Sequence, residues 1–450
     1  MKELPLPQQI EKLDAARLRA YQDNLSFYQG QQWSTRPRGR ERHLTFNYAH
    51  SFIDKVTSYL MSGLTVAVEP YDGSPEARQR AERAGAHLRQ VAEANSLEQL
   101  DLDTEIDAAI LGDGCYKVTW GGEGVRVSAP DVQGLFTWWA GDDMGRVWRV
   151  ASRYRLSAEE AADLYGVKLG SGRTGHGRRE VTVVEVWTAR SFELWVDNGL
   201  VEQRPNPYGF IPFVIFPNLR EPKQFWGVSD LSAIREPAQE LNRAFSQLSM
   251  ILELSGNPIA VVENVEDARD IAVQPGAVWE LPEKAKAYLL DLLQGGGVRL
   301  HTDYIDHLYR ALHDLAEAPR TAFGDNRQGL SGVALEMELH PLLQKVHRKR
   351  LIRSGVYRRR GELILRLLEQ RTGESLLPCY LRVVWGPVLP QDRGRLVREE
   401  QVLVASGLHS RRRAMSQLGV EDPEAEMEQW LRDEERVRGG AAKLPAVERA

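Results

Sequence analysis

Cysteine is almost absent: there are two, Cys115 and Cys379, in 450 residues. That excludes a disulfide framework and the paired spacing of a zinc knuckle, and it fits a reducing assembly environment. Long apolar runs are also missing. No stretch approaches the roughly 18 residues of a membrane span, so no membrane role is expected. The N-terminal segment MKELPLPQQIEKLDAARLRA lacks the apolar core of a secretory leader. Nor is there an excess of positive charge. The formal net charge is −5, from 58 Lys and Arg against 63 Asp and Glu. A chain that simply coats nucleic acid is thereby excluded. Any contact with a polyanion has to be local, or made by a few residues repeated around an assembly. Internal repeats, a sustained heptad seam and the frames G-x-S-x-G, H-E-x-x-H and G-x-G-x-x-G are all lacking, so no catalytic residue, cofactor or metal site is expected.

What is present is ordinary globular material, 42% hydrophobic and 27% charged, with a length that sets a prior of about three domains. Apolar spacing predicts helices over Ile10–Tyr28, Tyr48–Met61 and Leu97–Leu111, and one from Pro75 to about Ala94 behind the cap Ser74. From Gly112 the pattern shifts to short β-branched and aromatic runs bounded by Gly, Asp and Asn, which predicts one meandering, mostly antiparallel sheet. A helix opened by a Ser157/Glu160 capping box interrupts it, and GSGRTGHGRR reads as an exposed loop. Ser229–Ser255 is a long helix with a kink expected at Pro237. A strand, an acidic helix or turn and a second strand follow, then a helix from Val298 to before Pro319. Val333–Gln370 is longer than usual and contains Pro341, so a bend is expected there. The C-terminal part is helical, with Ser410 and Asp422 as N-caps. The fold class is α+β.

Four features bear on chemistry. TAFGDNRQGLSG (321–332) places Gly324, Gly329 and Ser331 where a phosphate-binding G-x-x-x-x-G-K-[ST] loop needs them, but Leu330 stands in place of the lysine. The segment before it is helical, whereas such a loop follows a strand, so an exposed connector is the favoured reading. His301, His307 and His313 cluster with Asp303, Asp306 and Asp314. Asp303/His307 and Glu336/His340 share helix faces, yet neither pair supplies the three converging ligands a metal needs. Gly112–Gly114 and Asp142–Asp143 read as turns. The run His347–Arg360, HRKRLIRSGVYRRR, is either a solvated face paired with acidic neighbours or a phosphate-facing stripe.

The order of several stretches resembles bacteriophage portal proteins of the SPP1 type. They are LSFYQGQQW with NYAHSFIDKVTSYLMSGLTVAVEP, IDAAILGDGCYKVTW, PFVIFPN with WGVSDLSAIREPAQELNRAFSQLSMILELSGNPIAVV, GLSGVALEMELHPLLQKV, and VEDPEAEMEQWLRDEE. The resemblance implies a portal fold closed into a ring, a dodecamer by family habit. A wing of helices and mostly antiparallel sheet covers 1–225, a first stem helix 226–256 and a small α/β clip 257–293. A second stem helix covers 294–318, a tunnel loop 319–332, a long kinked helix with its return strand 333–389 and a helical crown 390–450. It implies a non-enzymatic conduit for double-stranded DNA at the unique capsid vertex of the virion, assembled in the host cytoplasm. The partners would be a terminase motor, a head-tail adaptor, and major capsid and scaffold proteins. Arg320, Asp325, Asn326, Arg327 and Gln328 become channel residues touching the DNA backbone without base readout. Glu263, Glu266, Asp267 and Arg269 become the clip's partner surface. The rival is a nucleotide-dependent nucleic-acid enzyme using 324–331 as a degenerate phosphate loop.

Overall fold

The computed structural model describes residues 5–10, 12–36, 42–122, 124–166, 180–256, 259–264, 284–290, 297–325, 332–389, 393–420 and 423–441. GSGRTGHGRR, Asp422 and most of the clip lie outside these. Two compact units result, 1–385 and 386–450.

The first unit opens with α1 (Leu6–Ile10) and α2 (Ala15–Tyr28). The single helix expected over 10–28 is divided because Asp14 adopts φ 55, outside helical geometry. Next come α3 (Tyr48–Leu60), capped by Asn47, β1 (Thr65–Pro70) and α4 (Pro75–Ala94). The Ser74 hydroxyl accepts from the Ala77 N–H, with Pro75 at the first helical position, as the sequence signals. α5 (Leu97–Leu111) ends at Gly112, φ 110, and runs directly into β2 (Asp113–Gly121). Gly112–Gly114 is therefore a helix-to-strand junction rather than a free turn. β3 (Gly124–Ser128), β4 (Leu135–Ala140), β5 (Asp143–Ser157), α6 (Ala158–Tyr165), β6 (Glu180–Thr188), β7 (Ser191–Val196), β8 (Gly199–Pro205) and β9 (Phe213–Pro217) follow. Both halves of the Ser157/Glu160 capping box are formed.

Every described strand pair is antiparallel. The expected single meander is instead two sheets: β4-β5-β6-β7-β8, and β3-β2-β9. β9 pairs with β2 instead of extending the meander, and in that pair Phe216 lies over Gly114, where a Cβ would meet its ring at 2.4 Å. Lys117 of β2 reaches across and donates to Glu185 of β6 at 2.5 Å, while the Trp187 indole and the Tyr154 hydroxyl donate to the same carboxylate.

The chain then turns through 229–234 into α7 (Arg235–Gly256). This helix starts six residues later than Ser229, so Pro237 falls in its first turn, where its missing N–H costs nothing and no kink is required. The pair β10 (Ile259–Glu263) and β11 (Lys286–Leu290) leads to α8 (Gly297–Ala316), which packs on α7. α9 (Gly332–Thr372) is one helix of 41 residues, about 60 Å long, with Pro341 inside it. β12 (Cys379–Val384) returns to pair with β1.

α9 is the hub, and its basic run is largely neither of the two things expected. Lys345, Lys349, Arg350, Arg353 and Arg360 are buried on the face that also carries Leu342, Val346, Val356 and Tyr357. Arg353 uses all five N–H donors: two to Glu105 at 2.7 and 2.8 Å, and three to Pro217 O, Asn218 O and Asn218 Oδ1. Arg360 grips Asp101 bidentately and lies against the Tyr116 and Tyr357 rings. Arg350 donates to the carbonyls of Tyr59, Leu60 and Ser62, so a cation closes the C-terminal end of α3. Lys349 and Lys345 both meet Asp230. Burial alone would raise the Asp230 carboxyl, but the two lysines hold it well below the usual range.

The second unit contains α10 (Arg393–Ala405), α11 (Arg411–Gln417) and α12 (Pro423–Ala441). The Ser410 hydroxyl caps α11 as expected, and Arg411 stacks on Trp430.

Arg353→Met leaves Glu105 buried without its partner and should cost about 3–5 kcal/mol in chemical denaturation. Adding Glu105→Leu should recover part of that, but not all, since the 217 and 218 carbonyls stay without a donor. Burial, opposed by hydrogen bonds from Tyr21 and the Gly227 N–H, pushes the Asp113 carboxyl up from 3.8 to about 6. A raised acid favours the folded state below its unfolded value and loses that contribution as pH climbs through the folded one. Asp113→Asn should therefore flatten the fall in melting temperature between about pH 4 and pH 6; an unchanged profile would contradict this assignment.

Candidate functional site

The loop at 319–332 is held at its root by three helices. The last turn of α8 ends at Ala316, and Glu317 takes φ 52 to redirect the chain. Arg320–Phe323 then forms a single 3₁₀ turn, closed at Gly324 with φ 90. The loop is thus entered from helix and 3₁₀ turn, where a phosphate-binding loop would be entered from a strand.

His313 sits at the centre of this root. It is not on a solvated face, as its spacing with the other histidines implies, but buried among Phe52, Tyr309 and Phe323. Its Nδ1 lies 2.6 Å from Ala318 O. A carbonyl only accepts, so Nδ1 carries the proton and Nε2 is bare; Nε2 is buried without a partner among the described residues. Burial, and then the nearby Arg320 charge, lower its pKa from 6.5, so the ring is neutral at pH 7. Phe323 packs edge-on against Phe52, with the Lys55 ammonium 5.7 Å from its ring centre. From α9, Lys345 donates to Ala316 O at 3.0 Å and Arg348 grips Glu317 at 2.6 and 2.7 Å.

The sequence-predicted channel residues divide. Arg320 and Asp325 are brought together at 2.6 Å, and Arg320 also stacks over Tyr309, 4.9 Å from its centroid, and lies 3.8 Å from Asp306. Asn326, Arg327 and Gln328, with Gly329 and Ser331, lie outside the described residues. At the other end of the α7–α8 hairpin, Glu263 is exposed on β10 and accepts from the Tyr288 hydroxyl at 3.1 Å. Glu266, Asp267 and Arg269 are likewise outside. His301 and His307 stay near solvent on α8, and Asp306 pairs with Arg310. Among the described residues, no group of three or more His, Cys, Asp or Glu could hold a metal ion, and no helix is long and apolar enough to cross a membrane. A cavity of about 1000 Å³ between α3, α4, α5 and α9 is floored by the Asp101–Arg360 pair and includes no loop residue.

Sequence reading missed a second support. Segment 42–46 is strapped along α7: the Phe46 N–H donates to Asn242 Oδ1, the Leu44 N–H to Ser246 Oγ, and Arg42 pairs with Glu253. Alternate residues of an extended chain meet successive turns of a helix, since two strand residues and one helical turn advance by similar lengths. The polar spacing Asn242-x-x-x-Ser246 on an otherwise buried face is the signal that could have found it.

Lys345→Met keeps the Lys349–Asp230 contact but removes the donor to Ala316 O. Amide hydrogen exchange at 316–325 should accelerate by about tenfold or more while the exchange of α5 is unchanged. Equal acceleration in both places would mean general destabilisation instead.

No curated protein matches the chain. Residues 173–439, more than half of its length, match the family model described as phage portal protein, SPP1 Gp6-like, and the helix hairpin, the loop and α9 all fall inside that match, so the chain belongs to the SPP1-type family of phage portal proteins.

Proposed function

We propose that this chain closes into a ring at the unique capsid vertex and serves as the conduit for double-stranded DNA during packaging and ejection. The observation that carries the proposal is family membership, which gives a phage portal role that is structural rather than enzymatic. In this reading α7 and α8 are the stem helices, β10 and β11 belong to the clip, and 319–332 is the loop that faces the channel. 

Root and tip then have separate tasks. The root, His313 with Arg320, Lys345 and Arg348, fixes where the loop leaves the wall. The tip, Asn326, Arg327 and Gln328, meets the DNA backbone.

Physical requirements on a conduit support this division. DNA that is moved must not be gripped, so contacts go to phosphates, carry no base readout and stay few per subunit. A mildly acidic chain with a few amides and one arginine at a loop tip, repeated around an axis, meets that requirement. A ring built from one kind of chain needs a heterologous interface that closes on itself. Docking of a terminase motor and a head-tail adaptor is assigned to the clip edge at Glu263, Glu266, Asp267 and Arg269. The motor supplies nucleotide hydrolysis, so Leu330 in place of a lysine is expected of this chain.

Two measurements test the proposal. Purified protein should give rings with a central hole in electron micrographs viewed down the symmetry axis, and no ATP turnover above buffer. A chain that stays monomeric at every concentration and salt, or hydrolysis that disappears on Ser331→Ala, would refute it. Replacing Asn326, Arg327 and Gln328 by glycine should leave ring assembly intact and reduce packaged or retained DNA. Loss of rings in that variant would make the loop a subunit contact.

A further inference from the structure

α9 has a second face, which is exposed among the described residues. At about 100° per residue, Arg348, Leu351, Gly355, Arg358, Arg359 and Arg366 lie on the side opposite Arg353. All six are exposed, Leu351 at 64%. Gly355 stands in the middle of a helix, where glycine weakens the helix relative to alanine. A Cβ at that position would have no atom within 4 Å. Packing among the described residues therefore gives no reason for a glycine there, whereas the close approach of an outside surface would. Arg348 pairs with Glu317 and Arg359 with Glu362, but Arg358 and Arg366 have no ion partner among the described residues.

α5 presents the matching opposite. Glu105 and Asp101 point at α9, to Arg353 and Arg360. Asp103 and Asp107, two residues to either side of Glu105, are turned about 160° away from it. Both are exposed, as is the nearby Asp131. Crowding by the surrounding protein, and then the charges of Asp131 and Asp103, raise the Asp107 carboxyl, so these acids lie close enough to feel one another. The α5–α9 pair, bridged internally by buried ions, thus carries an acidic face on one outer side and a basic, glycine-centred face on the other.

We propose that the exposed face of α9 centred on Gly355 docks a second copy of this chain, and that the copy's acidic α5 face at Asp103 and Asp107 is what it meets. The proposal rests on the ring reading above and specifies its closing contact. Opposite faces of opposite charge are what a head-to-tail interface requires, because each subunit offers one face to each neighbour. Gly355 lets the neighbour's backbone or side chains approach the helix axis, and Leu351 supplies the apolar contact beside it. A phosphate-facing stripe would need neither the exposed leucine nor the glycine.

The test uses the full chain and reads oligomer size by sedimentation and native mass spectrometry, with melting of the monomer as a control for folding. Gly355→Leu should leave the melting temperature equal or higher and abolish rings. Arg358→Glu/Arg366→Glu, and separately Asp103→Lys/Asp107→Lys, should each raise the protein concentration needed for half-assembly by about tenfold or more at low salt. The variant carrying all four charge reversals should assemble again, since its faces are once more complementary. Rings intact in all of these variants would overturn this proposal and leave the portal reading standing. Rings intact but DNA retention lost in Arg358→Glu/Arg366→Glu would also overturn it, making the stripe a surface for the polyanion. A wild-type chain that never assembles would defeat the ring reading, and this proposal with it.

Discussion

The fold depends on a row of cations buried along one side of a single helix. Lys345, Lys349, Arg350, Arg353 and Arg360 each reach a different part of the first unit: the end of α8, the turn before α7, the end of α3, and two positions on α5. Taking a charge out of water costs several kcal/mol, and attraction to one partner often only offsets that loss, so such pairs are weak as net stabilisers. Their value here is in what they forbid. A register slip along α9, or an alternative packing of α5, would strand a buried ion, and that penalty exceeds what slightly different apolar contacts can return. Arg353 makes the constraint sharpest, because five donors in a rigid plane meet five acceptors from α5 and the end of β9, and its side chain and that of Glu105 are both fully buried.

That arrangement explains which parts of the fold were legible in the sequence. Helix starts signalled within one turn are legible in the sequence. Ser74-Pro75, the Ser157/Glu160 box and Ser410 each fix a helix start through contacts three residues away. Misreadings arise where a distant segment decides. The basic run reads as a surface because charge usually lies there. Its buried members, however, follow the same helical rows as Leu342, Val346 and Leu363, while the exposed arginines fall between those rows. Asp101 and Glu105, one turn apart on a helix that is otherwise apolar on that side, were the complementary hint. α7 begins six residues after the Ser229 start that the sequence predicts, for the same reason. Asp230 is held out of helix by two lysines more than a hundred residues away, and the Ser229 hydroxyl donates to the carbonyls of Ala109 and Ile110.

The split of the β-rich half into two sheets has a comparable origin. Alternation of apolar and polar residues predicts strands, but it does not say which strand lies beside which. β9 joins β2 because the α5–β2 junction and the 218–229 segment must pass at backbone contact. Gly112 and Gly227 permit this; a Cβ on Gly227 would sit 2.4 Å from Gly112 O. The Gly227 N–H and the Tyr21 hydroxyl both donate to Asp113 there, which ties α2 to the same crossing.

The candidate site inherits its rigidity from this frame. Lys345 meets Asp230 at 3.2 Å, just before α7 begins, and Ala316 O at 3.0 Å, where α8 ends. One ammonium therefore fastens both ends of the helix hairpin to α9, within a side-chain length of the loop. The loop's composition is visible in the sequence, as is the missing lysine, but this anchoring is not, since the two partners of Lys345, Asp230 and Ala316, are separated by the whole α7–α8 hairpin. A loop whose base is fixed by a buried cation leaves the ends of the helices behind it tied to α9. In the conduit proposed above, that anchored root is where force is borne, so contact with the passing phosphates need not be tight.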